Sequence, residues 1–368
     1  MRLIFSLLIA LISVSPAQAA GPEKIATLDR TLWPGAITGQ DGFNRASAAE
    51  ILSFVRVLQS TPLQTETGIR NLTGLEQINT TSVQQWLEKT RNRLLQNYAH
   101  ACDQCDAAGS WPALVTSAQT TLPPTLSGWA AASDKFYRRY LYEQVRLAAL
   151  FPRITSEIDT LSAQQEITGS ELQDGHFLLT YDDGPAAGNK GENRTQKLAD
   201  ALRQDDIHAF FFVLGERLQQ QQPDKKLYDR QCLGSHGYEH KSHQKWEHWQ
   251  TSLNDTRALL SAYQPGPFWL RPPYGQRTPE LVNELASQQE KIMLWNIDSQ
   301  DWNRKLTDQQ VQDRVITLML LWRRGIILYH DIHGRALQNL PALNQFVKGT
   351  DQQWLDCRTF SGELFPDF

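Results

Sequence analysis

The chain has 368 residues, 40% hydrophobic and 10% aromatic, which exceeds one ordinary domain and supplies enough apolar material to fill a core. With that apolar content, a charged fraction of 21% and a negative mean hydropathy argue for a soluble globular protein rather than a disordered one. The formal charge of −4, with no Lys/Arg run longer than two, argues against a nucleic-acid partner, which calls for a basic domain or stripe.

The first feature in chain order is Arg2, followed by an apolar run from Leu3 to Val14, Pro16 and the stretch Ala17-Gln18-Ala19-Ala20. This reads as a secretory signal peptide over residues 1–20: the run is too short to span a bilayer comfortably, and Ala17-x-Ala19 fits a cleavage site. The expected location is the periplasm or the medium, with no transmembrane segment left after removal of the leader. In an oxidising compartment the four cysteines favour disulfides. Cys102 is expected to pair with Cys105. Cys232 with Cys357 is a candidate second pair, whose connectivity sequence alone does not fix.

Residues 21–168 form a predicted helical accessory domain with no legible chemistry. Ala48 to Leu58, Val83 to Ala101 and Asp134 to Leu161 carry apolar residues at helical spacing, broken around Cys102 and Cys105 and from Pro112 to Pro124. Residues 169–368 change texture. Short apolar runs at His176 to Tyr181, His208 to Leu214, Pro267 to Leu270, Ile292 to Ile297 and Gly325 to Tyr329 alternate with helical segments. Continuous runs such as Ala209-Phe210-Phe211-Phe212-Val213-Leu214 suit parallel strands buried on both faces. In a (β/α) barrel the functional groups sit where such strands end.

The first run ends in Thr180-Tyr181-Asp182-Asp183-Gly184-Pro185, and two adjacent carboxylates repel unless a cation or proton lies between them. Next, Ser235-His236-Gly237-Tyr238-Glu239-His240 places two histidines at i and i+4, on one face of a predicted helix and near enough to bind one divalent metal. The same stretch reads as His-x-x-Glu-His, the inverted zinc-peptidase motif, although Gly234 and Gly237 suit a long helix poorly and that reading leaves Asp182 and Asp183 unexplained. Three further strand ends follow: Arg271-Pro272-Pro273-Tyr274-Gly275, Asp298-Ser299-Gln300-Asp301-Trp302, and Leu328-Tyr329-His330. Metal ligands, an acid, a base and an arginine at five separate strand ends form a constellation hard to ascribe to chance.

As an ordered set these motifs resemble those of the NodB-like polysaccharide deacetylases, carbohydrate esterase family 4. The resemblance covers about Gly169 to Cys357. It implies an α/β fold, a distorted (β/α)7 barrel, preceded here by the smaller, mainly α-helical domain. It implies hydrolysis of the N-acetyl amide of a hexosamine in a glycan such as peptidoglycan, poly-N-acetylglucosamine or chitin oligomers. Asp183, His236 and His240 would hold one divalent metal ion, zinc by default, with cobalt, nickel or iron as alternatives. Asp182 would be the general base and His330 the general acid, with Asp298 holding His330 and Arg271 orienting Asp182. The backbone N–H of Tyr274 would face the oxyanion, while Trp302 and Leu328 would line the acetyl pocket. Gly237 departs from the family, which often has Ser or Thr there to fix the metal loop. A zinc peptidase using Glu239 and a non-catalytic glycan-binding module are the alternatives.

Overall fold

The computed structural model describes residues 24–102, 109–120, 124–186 and 193–361. The predicted leader and Cys105, the expected partner of Cys102, lie outside them. Five helices come first: α1 (Gly39–Ser60), α2 (Glu66–Thr73), α3 (Thr80–Ala101), α4 (Trp111–Gln119) and α5 (Ser127–Leu150). The expected helix from Asp134 to Leu161 stops at Leu150. Phe151 has β-region dihedrals and precedes Pro152, whose ring disfavours a helical residue before it.

The remaining chain alternates strands and helices: β1 (Glu166–Ile167), β2 (His176–Asp182), α6 (Arg194–Gln204), β3 (Phe210–Val213), α7 (Gly215–Gln221), β4 (Cys232–Ser235), α8 (Trp249–Leu260), β5 (Trp269–Leu270), α9 (Pro279–Ser287), β6 (Lys291–Met293), β7 (Ile297–Asp298), α10 (Asp308–Trp322), β8 (Gly325–His330), α11 (Gly334–Gly349) and β9 (Gln353–Trp354). All described pairings are parallel, in the order β1-β6-β5-β4-β3-β2-β8-β7, with β9 beside β2. The sheet curls because residues 291–298 pair at their start with β5 and at their end with β8. This is the expected distorted (β/α) barrel, with a helical region in front of it. Each residue of β2 from Phe177 to Asp182 and all of β3 are buried, as strands covered on both faces require.

Helix α10 joins the two regions. Every residue from Asp313 to Trp322 is buried, because the barrel packs on one side of the helix and α1 and α3 on the other. One hydrophobic core runs from Phe54 and Tyr140 of the helical region through Leu318 and Trp322 to Tyr181 and Tyr329 of the barrel. Polar ties complete the joint. Arg314 Nη2 donates to Glu143 Oε2 at 2.7 Å, and Asn97 Nδ2 donates to the carbonyls of Leu321 and Trp322 at the end of α10.

Cys232, at the start of β4, is disulfide-bonded to Cys357 in the C-terminal segment, 125 residues away. Closing so long a loop restricts the unfolded chain. The paired serine replacement Cys232→Ser/Cys357→Ser is therefore expected to cost about 2–5 kcal/mol of stability, read as a lower midpoint in urea unfolding.

Candidate active site

Parallel register assembles the site. Asp182 and His330 are direct partners across β2 and β8, and Asp182 also pairs with Phe212 of β3. Two motifs distant in sequence thus end side by side, within the spacing of neighbouring strands. β4 and β5 end next to His236 and Arg271, and β7 ends at Asp298.

His236 and His240 do not share a helix face, as their spacing suggests. They lie in the loop after β4, folded back by Gly237 at φ 77°. A Cβ at Gly237 would stand 2.5 Å from His243 Cε1, so both space and dihedral require glycine. The hydroxyl missing at this position is replaced from elsewhere. Ser235 Oγ accepts from Gly237 N at 3.2 Å, and Ser252 Oγ accepts from Tyr238 N at 2.7 Å.

Asp183 Oδ1 lies 3.4 Å from His236 Nε2 and 3.5 Å from His240 Nε2. It is buried with no hydrogen-bond donor among the described residues. His236 Nδ1 donates to the Arg271 carbonyl at 2.6 Å, which leaves the Nε2 lone pair for another partner. Burial holds the His240 pKa down at about 4, with the charge of His236 adding to the effect against Asp183. Burial alone would raise the Asp183 pKa, but His236 and the charges of His330 and His240 hold it well below the usual carboxylate range. An ionised carboxylate and two imidazoles with free nitrogens, all within 4.8 Å of one another, are the donor set a divalent metal ion requires.

Arg271 is fully buried and donates from Nη1 to Asp182 Oδ1 at 2.8 Å and to Thr180 Oγ1 at 2.7 Å. Its Nε and Nη2 donate to the carbonyls of Met293 and Leu294, so the guanidinium is fixed and Asp182 with it.

The residue that holds His330 is Asp301, not the expected Asp298. Asp301 Oδ1 accepts from His330 Nδ1 at 2.7 Å, and Oδ2 accepts from His330 N at 3.0 Å. Gln300, at φ 60°, turns the chain so that Asp301 reaches the histidine. Asp298 is engaged with that same turn, accepting from Gln300 N at 2.9 Å and Gln300 Nε2 at 2.6 Å. Burial by itself would lower the His330 pKa, but the charge and hydrogen bond of Asp301, followed by Asp183 and Asp182, raise it to about 10.

These groups face a cavity of about 340 Å³, within the usual range for small-molecule sites. Tyr274, Trp302 and Leu328 line it, and Tyr274 and Trp302 are among the few exposed large hydrophobic side chains described, at 45% and 44%. Tyr274 stands in the left-handed region at φ 61°, its ring centroid 4.6 Å from that of His240. Glu239 turns to the surface and pairs with Lys241 at 2.7 Å, taking no part in the cluster.

Part of the lining was not legible in the sequence. Glu143, Gln144 and Leu147 of α5, and Ser156 and Glu157 just after it, border the same cavity. The strap 155–159 is fastened to the Arg271–Gly275 turn. A Cβ on Gly275 would meet Glu157 N at 3.1 Å. Arg277 donates to the carbonyls of Ser156 and Asp159 and, within a fully buried ion pair, to Glu166 at 2.5 Å and 2.8 Å. These residues lie outside all five motifs, more than a hundred positions before the Arg271–Gly275 turn that they border, and carry no local pattern.

Residues 169–291 match the family model described as polysaccharide deacetylase. The chain is 30% identical over 184 residues to the peptidoglycan-N-acetylmuramic acid deacetylase PdaC of Bacillus subtilis, covering 48% of this chain and 36% of that protein. It is 27% identical over 175 residues to a peptidoglycan-N-acetylglucosamine deacetylase of Bacillus cereus, covering 46% and 61%. The chain therefore spans between about a third and three fifths of the length of these curated relatives. Among solved structures it is similar to the peptidoglycan N-acetylglucosamine deacetylase Bc1960, at 22% identity and a TM-score of 0.47, covering 52% of this chain and 90% of that one. With the five motifs in order at the ends of a parallel barrel, residues 169–291 carry the polysaccharide deacetylase domain, and the C-terminal region resembles the NodB-like carbohydrate esterase family 4.

Proposed function

We propose that the protein is an exported, metal-dependent deacetylase that hydrolyses the N-acetyl amide of hexosamine residues in a glycan. The observation that carries this reading is the placement of Asp182 and His330 as register partners beside the Asp183-His236-His240 cluster, in one cavity. Export is supported by the Cys232–Cys357 disulfide, a bond of oxidising compartments.

Asp183, His236 and His240 would hold the metal ion, by default zinc. When bound, it supplies Lewis-acid polarisation of the acetyl carbonyl and makes water more acidic. Asp182, held by Arg271, takes the proton of the attacking water as its oxygen bonds to the acetyl carbon. The backbone N–H of Tyr274 is assigned to the oxyanion that develops, where a fixed donor stabilises charge without reorganising. The C–N bond then breaks. An amine leaves poorly without a proton, and His330, kept protonated by Asp301, donates one to the nitrogen. The products are a free hexosamine amine and acetate. Trp302 and Tyr274 offer apolar faces on which a sugar ring stacks.

Mass spectrometry of N-acetylglucosamine oligomers incubated with the purified protein and zinc should show stepwise loss of acetyl groups, abolished by a chelator and restored by added metal. Intact oligomers under every condition would overturn the reading. Cleaved glycosidic bonds, or cleavage of peptides instead, would replace it with another hydrolase class.

A further inference from the structure

Glu143 and Glu157 enter the cavity from the helical region, beside Asp298 from the barrel, and Arg314 lines it with them. Arg314 is committed. Its Nη2 pairs with Glu143 at 2.7 Å and its Nε donates to the Asp298 carbonyl at 2.9 Å. Glu157 has no ion-pair partner among the described residues. Burial first, and then the charge of Asp298, push its pKa up to about 8, as an uncompensated carboxylate requires. Trp295 Nε1 and Gln300 Oε1, in side chains more than nine-tenths buried that line the same cavity, have no hydrogen-bond partner among the described residues. Buried polar atoms left unpaired in this way are the ones a ligand's polar groups satisfy.

The strap that carries Glu157 is not a loose loop. Arg277 and Gly275 fix it against the turn bearing Tyr274, so the carboxylate is held beside the path of the substrate. A carboxyl kept from ionising by burial and by Asp298 gains its charge when a cation arrives to compensate it, so that place favours a cationic neighbour over a carboxylate. In the product of the proposed reaction, the cationic group is the ammonium at C2 of a deacetylated hexosamine. A glycan bearing lactyl or peptide carboxylates presents the opposite sign.

Building on the deacetylase reading, we propose that Glu157 is a specificity-determining residue that receives the ammonium of an already deacetylated hexosamine neighbouring the target unit, so that the preferred substrate is a partly deacetylated poly-N-acetylhexosamine free of carboxylates.

The test compares kcat/KM for acetate release from two tetramers of N-acetylglucosamine, one fully acetylated and one carrying a single free amine, with the zinc-loaded wild type and Glu157→Gln. The wild type should prefer the amine-bearing tetramer about tenfold, a ratio within the reach of one charge-assisted hydrogen bond. In Glu157→Gln, with folding verified by thermal unfolding, that ratio should fall to near one. The preference should also weaken in high salt, as a charge contact does and a purely structural role does not. A wild-type ratio near one, or a preference retained in Glu157→Gln, overturns the assignment while the deacetylase reading stands. Absence of acetate from both tetramers overturns both.

Discussion

Replacement of His330 by alanine should lower kcat for N-acetylglucosamine oligomers by about 10²–10⁴-fold while KM changes little, because general acid–base groups contribute on that scale. The structure provides the reason. His330 ends β8 directly beside Asp182, its Nδ1 is tied to Asp301, and its Nε2 is left for the leaving nitrogen. Outside the Asp183 cluster, His330 is the only imidazole among the described residues that line the cavity. His236 and His240 are turned to Asp183, and His243 is bonded to Ser252 and to the Lys241 carbonyl. Steady-state kinetics decides the matter, and a kcat within threefold of wild type would remove His330 from the reaction.

Asp301→Asn should be nearly as damaging and should also change the pH profile. Asp301 is the main influence raising the His330 pKa to about 10 against the effect of burial. A raised pKa means that the proton stays on His330 throughout the neutral range and is lost only as the pH rises through that value. The alkaline limb of kcat/KM therefore reports the acid. Bound metal offsets part of the charge of Asp183, so the limb in the loaded enzyme should lie somewhat below that of the metal-free group. Removing the Asp301 charge should move it downward by roughly one to three pH units. An asparagine can also present its amide N–H to Nδ1 and select the wrong tautomer, which lowers the plateau as well. An Asp301→Asn profile whose alkaline limb coincides with that of wild type would return the role to Asp298.

The barrel was readable because its strands are covered on both faces and show as unbroken apolar runs, as in Phe210-Phe211-Phe212-Val213. Strands β1 and β4 left no such trace. The first has two residues, and the second, Cys-Leu-Gly-Ser, is too short and too small to stand out. A run of spaced apolar residues carried the predicted helix beyond Leu150, where Pro152 ends it. Spacing also suggests a helix for His236 and His240, but the left-handed backbone dihedral at Gly237 and the hydroxyls of Ser235 and Ser252 make a turn that brings the same two nitrogens together. Asp301 lies within the same motif as Asp298, and the sequence does not distinguish them as partners of His330, because the left-handed Gln300 determines which of the two carboxylates reaches the ring. Glu143 and Glu157 had no local signal at all. Their place in the cavity follows from the long-range packing of α5 and from Arg277 fastening the strap, so the helical region is a wall of the site and not only an attachment to it.

The most direct measurement of the central claim is acetate release from N-acetylglucosamine oligomers by Asp182→Asn and Glu239→Ala, assayed side by side with the zinc-loaded wild type. Asp182 is buried in the cavity wall and bonded to Arg271, whereas Glu239 is paired with Lys241 at the surface. The account predicts that Asp182→Asn loses about 10²–10⁴-fold in kcat and that Glu239→Ala stays near the wild-type value. Loss of activity in Glu239→Ala with Asp182→Asn unimpaired would contradict it.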